Sequence, residues 1–143
     1  MQRLEKVGVM VAALGVAVSG GVHLRLYLDG YRDIDIERLG GINIGRSFAL
    51  SVVAAVLVAE VLVVAAIRPR LRGVASCMAV LYAAGALGAY AMTRTGGLLG
   101  FEESEWTPEA LVAKLAEAAV VVLGGWMAVG SMRSRAATNV EAG

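Results

Sequence analysis

"GRSFALSVVAAVLVAEVLVVAAI", residues 45–67, is the stretch that decides the class of this protein. It is an unbroken apolar run with two charged side chains, Arg46 near its start and Glu60 near its end. About 20 mostly apolar residues form an α-helix that crosses the roughly 30 Å hydrocarbon core of a bilayer. We therefore interpret residues 45–67 as a transmembrane helix.

Similar apolar runs lie on both sides of this stretch. The chain has 143 residues, of which 58% are hydrophobic, and a mean hydropathy of +0.71. Soluble domains are about 45–50% apolar. Backbone polar groups inside a bilayer must bond to each other, which a continuous apolar run achieves as a helix. We predict an all-α membrane protein, a four-helix transmembrane bundle that forms a single domain over residues 1–143. The predicted spans are residues 7–28, 45–67, 74–93 and 108–132, and the predicted outer loops are residues 29–44 and 94–107.

The basic residues predict the orientation of the bundle. The connection "RPRLRG", residues 68–73, has three arginines, and together with the two chain ends it holds seven Lys and Arg residues. The other side holds five over longer loops, and "TRTGGLLGFEESEWTPE", residues 93–109, has four glutamates and one arginine. Because cytoplasmic loops are enriched in Lys and Arg, we predict an N-in/C-in topology with the two long loops outside.

The first predicted span has a second interpretation. Arg3 and Lys6, the apolar run that follows them and the small residues "AVSGG" at 17–21 also fit a cleavable signal peptide. The apolar character nevertheless continues beyond Gly21 to Leu28. This continuation favours a transmembrane span.

Three polar residues within the spans share helix faces with small residues. They are His23, which is the only histidine, Tyr90 and Glu117. Transmembrane helices pack against each other through small residues, so we expect these three side chains to point into the bundle. The small residues at helical spacing are Ala12, Gly15, Ser19 and Gly20 for His23, Ala79, Ala83 and Ala86 for Tyr90, and Ala110, Ala113 and Gly124 for Glu117.

Glu60 and Glu117 lie well inside the predicted spans, where a charged side chain costs about 2.5–3.5 kcal/mol and is often functional. Glu117 follows Lys114 by one turn, so it either forms structural pairs with Lys114 or His23 or handles a ligand or protons. Glu60 lies on a valine-rich face. It either reaches a cytoplasmic arginine, which would be Arg68, Arg72 or an arginine of the C-terminal tail, or acts with Glu117 as a proton relay.

The stretch "GVHLRLYLDGYRDIDI", residues 21–36, predicts a polar site at the outer end of the first span. Asp29 and Gly30 suit a tight reversal. We expect Arg32, just after it, to pair with an acidic residue of the second loop and to tie the two loops together over a pocket. The acidic candidates are Glu102, Glu103 and Glu105. The candidate ligand-binding residues are His23, Arg25, Tyr27, Tyr31, Arg32, Tyr90, Glu103 and Glu117.

The two outer loops also contain local structural signals. Thr107 is a natural N-cap, and Pro108 suits the first position of the following helix. Trp106 fits the aromatic belt at a membrane surface. An apolar pattern in the first loop predicts a bent segment that lies on the membrane, and its residues are Ile34, Ile36, Leu39, Ile42 and Ile44.

The composition argues against several kinds of site. A net charge of +1 gives no electrostatic basis for binding nucleic acid, and a single cysteine excludes an internal disulfide or a multi-cysteine zinc site. A metal site at His23 and Glu117 would need Asp29, Asp33 or Glu102 to complete it. We predict no catalytic residues, no metal site and no enzymatic activity, and any cofactor stays unknown.

Three segments carry a resemblance to known proteins. "HLRLYLDGYRDI" at 23–34, "GLLGFEESEW" at 97–106 and "LAEAAVVVLGGW" at 115–126 resemble uncharacterised small four-span integral membrane proteins of high-GC Gram-positive bacteria. That group usually has an "IG-LF-L" pattern where this chain has "IGRSFAL" at 44–50, so the surface segment is expected to sit differently. A looser likeness links the chain to DoxX-like four-span proteins. The matching residues are His23, Leu24, Tyr27, Gly30, Tyr31, Arg32, Gly97, Gly100, Phe101, Glu103, Trp106 and Glu117.

The resemblance implies a compact four-helix bundle in the bacterial inner (cytoplasmic) membrane and no particular activity. We expect a non-enzymatic accessory or small-ligand-binding subunit with an outward-facing polar site, for a ligand such as a quinone, a lipid head group or haem. Its partners would be the lipid bilayer and a larger membrane complex or further copies of itself. One alternative is a small transporter or proton-coupled permease that uses Glu117 and Glu60. A second is a membrane oxidoreductase component, which the lone cysteine and lone histidine weaken.

Overall fold

The chain folds into four long helices joined by turns and short loops. The computed structural model describes residues 2–33, 43–99, 101–104 and 106–141, with side chains described between residues 3 and 131. Within these residues no β-strand forms, and a single antiparallel bridge joins Leu98 and Phe101. The helices are α1 (Gln2–Leu28), α2 (Ile44–Ile67), α3 (Arg72–Thr95) and α4 (Pro108–Glu141). The predicted all-α four-helix bundle is confirmed.

The outer surface of the bundle is apolar. Each of the four helices is long and apolar enough to cross a membrane. Large hydrophobic side chains point outward on different helices, including Leu14, Leu81 and Val122, which are 65%, 74% and 70% exposed. Such a surface is unfavourable in water, whereas lipid tails solvate it. The protein is therefore a multi-pass membrane protein.

The helix ends follow the capping rules. The side chain of Asn43 accepts a hydrogen bond from Arg46 N at the start of α2, and the side chain of Thr107 accepts one from Ala110 N at the start of α4. The second cap was predicted from the sequence. A 3-10 turn over Pro69–Leu71 joins α2 to α3, as the tight "RPRLRG" connection predicted. The helices extend a few residues past the predicted spans because polar residues continue them beyond the apolar runs.

Small residues set how closely the helices approach. α1 packs mainly against α2 and α4, and α3 packs mainly against α4. A Cβ added at Gly15 would lie 2.6 Å from Val120, and one added at Gly20 would lie 2.5 Å from Ala55. Real Cβ atoms do not approach so closely, so these contacts require glycine. The helix faces predicted to point inward do so. The small residues on them that are buried are Ala12, Ser19, Gly20, Ala79, Ala83, Ala113 and Gly124.

The bundle has two distinct ends. The end that holds the start of α1 and the Pro69–Leu71 turn is called the terminal end, and there Arg72 pairs with Glu5 at 2.8 Å. The opposite end is called the loop end. At the loop end the chain reverses at Asp29 and Gly30, as predicted, and Gly30 has a φ of +151° that favours glycine.

After the reversal, a 3-10 turn over Tyr31–Asp33 packs against the first turn of α2. A Cβ at Gly45 would lie 2.5 Å from the carbonyl oxygen of Tyr31, so the turn and the helix touch through their backbones. Ile44 is buried at the start of α2. The other residues of the predicted surface segment, Ile34, Ile36, Leu39 and Ile42, lie outside the described residues.

Candidate functional site

A buried carboxylate stands at the centre of the polar residues inside the bundle. Glu117 of α4 has no exposed surface. Its Oε1 accepts a hydrogen bond of 2.7 Å from the hydroxyl of Ser19, and its Oε2 accepts one of 2.6 Å from Nζ of Lys114. Nε2 of His23 lies 3.7 Å from Oε1, which is beyond hydrogen-bond length but close enough for attraction. The predicted pairing of Glu117 with Lys114 is confirmed.

This cluster joins three helices. Ser19 and His23 come from one face of α1, four residues apart, and Glu117 and Lys114 come from one face of α4. The hydroxyl of Ser19 also lies 3.1 Å from the hydroxyl of Tyr82 on α3. Breaking one partner out of a buried charge pair costs about 3–5 kcal/mol. The cluster therefore has a structural role whatever else it does.

A cavity of about 130 Å³ opens beside the cluster at the loop end. All four helices and both loops contribute to its wall. Most of the wall is apolar, and Phe48 and Phe101 supply aromatic rings. Of the predicted site residues, the structure brings five together in this region. His23, Tyr31, Tyr90 and Glu103 line the cavity, and Glu117 lies behind His23 and Lys114.

Two residues of the cavity wall each have a buried side-chain atom with no hydrogen-bond partner among the described residues. These atoms are Nδ1 of His23 and the hydroxyl oxygen of Tyr90. The Tyr90 ring is held from both sides, since Nζ of Lys114 lies 5.0 Å from its centroid and the ring of Trp106 packs edge-on at 5.8 Å. Buried polar groups in proteins are rarely left unpaired. His23 and Tyr90 are therefore the two residues of the cavity wall that have an unsatisfied side-chain atom to offer a ligand.

An interaction between the two loops forms part of the cavity wall at the loop end. The hydroxyl of Tyr31 donates a hydrogen bond of 2.7 Å to Oε2 of Glu103. The Tyr31 ring packs against Phe48 of α2 at 4.6 Å and against Phe101 of the second loop at 5.3 Å. Burial raises the pKa of Tyr31, and the nearby Glu103 carboxylate raises it further. The backbone of Glu103 is fixed in turn, because its N–H donates to the carbonyl oxygen of Thr93.

The two loops are joined, but the prediction that Arg32 makes the contact is wrong. Arg32 is more than half exposed and pairs with its neighbour Asp33 at 3.4 Å. The reversal at Gly30 turns Tyr31 toward the bundle and Arg32 away from it, so Tyr31 makes the contact to Glu103. Glu102 is exposed, and Glu105 lies outside the described residues.

The remaining predicted residues lie away from the cavity. Arg25 is exposed and contacts Asp29 at 3.3 Å and Glu109 at 3.6 Å, which links α1 to the start of α4. Tyr27 is half-buried and does not line the cavity. Among the described side chains, no three His, Cys, Asp or Glu residues gather as a metal site.

The two carboxylates of the proton-relay alternative are not brought together. Glu117 is enclosed in the bundle, whereas Glu60 is exposed on the outer side of α2. Glu60 borders a separate groove between α1 and α2, with Ala17 and Gly21 on the facing helix. A relay that uses both residues would therefore have to leave the interior of the bundle.

Comparisons of the chain with models of protein families, with curated proteins and with solved structures found no match. The resemblance to small four-span bacterial proteins therefore stays a prediction.

Sequence reasoning missed some residues of the site. Phe48 was not selected, although its ring meets both His23, at 5.4 Å, and Tyr31. Tyr82 was not selected either, although its hydroxyl extends the Glu117 cluster through Ser19. A usable signal existed for Tyr82, since it is a polar residue one helical turn from Ala79, on the face where small residues were noted.

Proposed function

We propose that this protein binds a small ring compound with oxygen substituents, of the quinol type, in the cavity at the loop end. The proposal rests on one observation: two residues that line the cavity, His23 and Tyr90, each have a buried side-chain atom without a hydrogen-bond partner, Nδ1 and the hydroxyl oxygen respectively. A buried group without a partner costs about 1–3 kcal/mol. A ligand that bonds both atoms offsets that cost.

One of the two atoms accepts a hydrogen bond and the other donates one, and this combination favours a quinol. The Glu117 carboxylate faces Nε2 of His23, so we assign the ring proton to Nε2, and Nδ1 then accepts a hydrogen bond. The hydroxyl of Tyr90 donates one. A hydroquinone hydroxyl both donates and accepts, so one ring can serve His23 and Tyr90 together. An oxidised quinone has only acceptor oxygens and would bond Tyr90 alone.

The size and charge of the cavity favour the quinol over the other two expected ligands. A volume of about 130 Å³ is comparable with an apolar cavity of roughly 150 Å³ that holds benzene in another protein. A haem is several times larger than this cavity, and His23 would be its single histidine ligand. A phosphate head group needs a free cation, and Lys114 is already paired with Glu117 at 2.6 Å. The aromatic side chains Phe48 and Phe101 suit the faces of a single ring.

In this proposal the protein is a binding or accessory subunit of the bacterial inner membrane. The basic residues around Pro69–Leu71 support a cytoplasmic terminal end, and the acidic second loop supports an outward-facing loop end. The cavity then opens in the outer half of the membrane, where a lipid-soluble ring compound is available. A larger membrane complex is the expected partner.

Purification in a mild detergent tests this function. Mass spectrometry and ultraviolet absorbance of the extracted material should detect a quinol or quinone with the wild-type protein. The Tyr90→Phe variant should retain less of it, and Tyr27→Phe, which removes a hydroxyl outside the cavity, should retain the wild-type amount. Equal retention by both variants would argue against the cavity as the binding site.

A further inference from the structure

A second site lies on the lipid-facing side of the bundle. Glu60 is exposed on α2, and no ion pair or hydrogen bond joins its side chain to another described residue. The predicted pairing of Glu60 with Arg68 or Arg72 does not form. Arg68 makes no ion pair with a described residue, and Arg72 donates to Glu5 at 2.8 Å and to the carbonyl oxygen of Ala65. Among the described side chains, the carboxylate therefore has no cytoplasmic partner, and the arginines of the C-terminal tail lie outside those side chains.

Glu60 lies well inside the hydrocarbon region. It precedes the end of α2 by seven residues, about 10 Å of helical rise. The helix has 24 residues, so Glu60 is about 7 Å from its midpoint, against about 15 Å for half the hydrocarbon core. A charged side chain at such a depth is costly and needs a partner.

The surface around Glu60 is shaped for another helix. Glu60 borders a groove between α1 and α2 whose α1 side is formed by the small residues Ala17, Gly20 and Gly21 and by Leu24. A Cβ added at Gly21 would meet no atom within 4 Å, so this glycine opens the groove rather than fitting its own bundle. Small residues let two transmembrane helices approach closely. Lipid tails can fill an apolar groove, but they cannot bond a carboxylate.

A second copy of the chain does not supply what Glu60 needs. A two-fold pair that uses this groove would place two Glu60 carboxylates against each other. The outward faces of α3 and α4 carry exposed apolar side chains such as Leu81 and Val122. The groove therefore fits a different protein better than it fits itself.

We propose that the groove between α1 and α2 is the docking site for a membrane-spanning helix of a different protein, which places a lysine, an arginine or another hydrogen-bond donor against Glu60. This partner helix covers the small residues of α1 and satisfies the carboxylate at the same time. The site is separate from the quinol cavity and does not depend on it.

Chemical modification by dicyclohexylcarbodiimide, which dissolves in lipid and reacts with carboxyl groups there, tests this proposal. The extent of reaction at Glu60 is measured by mass spectrometry in native membranes and in dilute vesicles made from the lipids of the same cells. We expect reaction in the vesicles and several-fold less in native membranes. Glu60→Gln should remove the modified peptide, which identifies the site.

A matched pair of variants tests the groove itself. Gly21→Leu fills the groove and should bring the reaction in native membranes up to the vesicle level, because the partner helix is excluded. Gly85→Leu is the control, since Gly85 is exposed on α3 with no atom near its Cβ position, and protection should persist. Two results would overturn the proposal: equal reaction in membranes and dilute vesicles, or protection that appears in vesicles as the protein concentration is raised, which would assign the groove to a second copy.

Discussion

The hydroxyl of Tyr31 donates a hydrogen bond of 2.7 Å to Oε2 of Glu103, 72 residues further along the chain. This bond joins the segment after α1 to the segment before α4, and both of its residues line the cavity. Phe48 and Phe101 pack on the Tyr31 ring, so the bond is partly buried. The outer wall of the proposed binding site therefore depends on two residues from different loops.

A double-mutant cycle tests this connection. Tyr31→Phe and Glu103→Gln should each destabilise the protein, and the pair should show a coupling of about 0.5–1.5 kcal/mol because they share one hydrogen bond. Thermal unfolding in detergent measures the effect. Arg32→Ala combined with Glu103→Gln is the control and should be additive. Coupling in the Arg32 cycle with additivity in the Tyr31 cycle would restore the pairing first expected from the sequence.

The protonation of Tyr31 gives a pH-dependent prediction. Its pKa is raised by burial and by the Glu103 carboxylate, so the folded protein holds this proton more tightly than the unfolded chain does. The corresponding stability is fully present below the ordinary tyrosine pKa of about 10 and is lost as the pH rises above it. The difference in tyrosinate absorbance between wild type and Tyr31→Phe should titrate above pH 10 in the folded protein and near 10 after unfolding. The same midpoint in both states would contradict the buried contact.

Removing the buried carboxylate should be the most damaging change. Glu117→Ala leaves the Lys114 ammonium without its partner, and we expect a loss of about 3–5 kcal/mol in the free energy of unfolding. Ser19→Ala should cost less, about 0.6–1.7 kcal/mol, which is the range for hydrogen bonds inside membrane bundles. Glu60→Ala serves as the matched control, because that carboxylate has no partner within the described bundle. If Glu60→Ala destabilised the isolated protein as much as Glu117→Ala does, the stabilising role assigned to Glu117 alone would be contradicted.

The helices themselves could be predicted from the sequence, and so could most of the cluster at Glu117. Apolar runs decide spans because the bilayer permits few other structures, and the small residues beside His23, Tyr90 and Glu117 showed which faces point inward. The loop contact could not be predicted to the residue. Whether Tyr31 or Arg32 faces the bundle depends on the φ of Gly30 and the close approach at Gly45, and neither backbone detail follows from composition or spacing.

Orientation in the membrane is open to a direct labelling experiment. In a background where Cys77 is replaced by serine, Ser104→Cys should react with a membrane-impermeant thiol reagent added to intact cells, and Arg70→Cys should react only after the membrane is opened. Both positions are exposed at opposite ends of the bundle. The reverse pattern would show that the basic "RPRLRG" connection faces outward.

Binding of a quinol at the cavity is the central claim, and the fluorescence of Trp106 tests it most directly. Trp106 packs on Tyr90 at 5.8 Å, so a ring bound in the cavity should change its emission. The chain has two tryptophans, and a Trp126→Phe background leaves Trp106 as the single reporter. Methyl-hydroquinone, whose single ring is close to benzene in size, and its oxidised quinone are each titrated into this protein in detergent.

The account predicts saturable binding that is tighter for the quinol than for the quinone. Tyr90→Phe should weaken quinol binding about fivefold, because losing one hydrogen bond costs about 1 kcal/mol. Tyr27→Phe should leave the affinity unchanged. Absence of saturable binding by either form, or equal affinities for wild type and Tyr90→Phe, would contradict the claim.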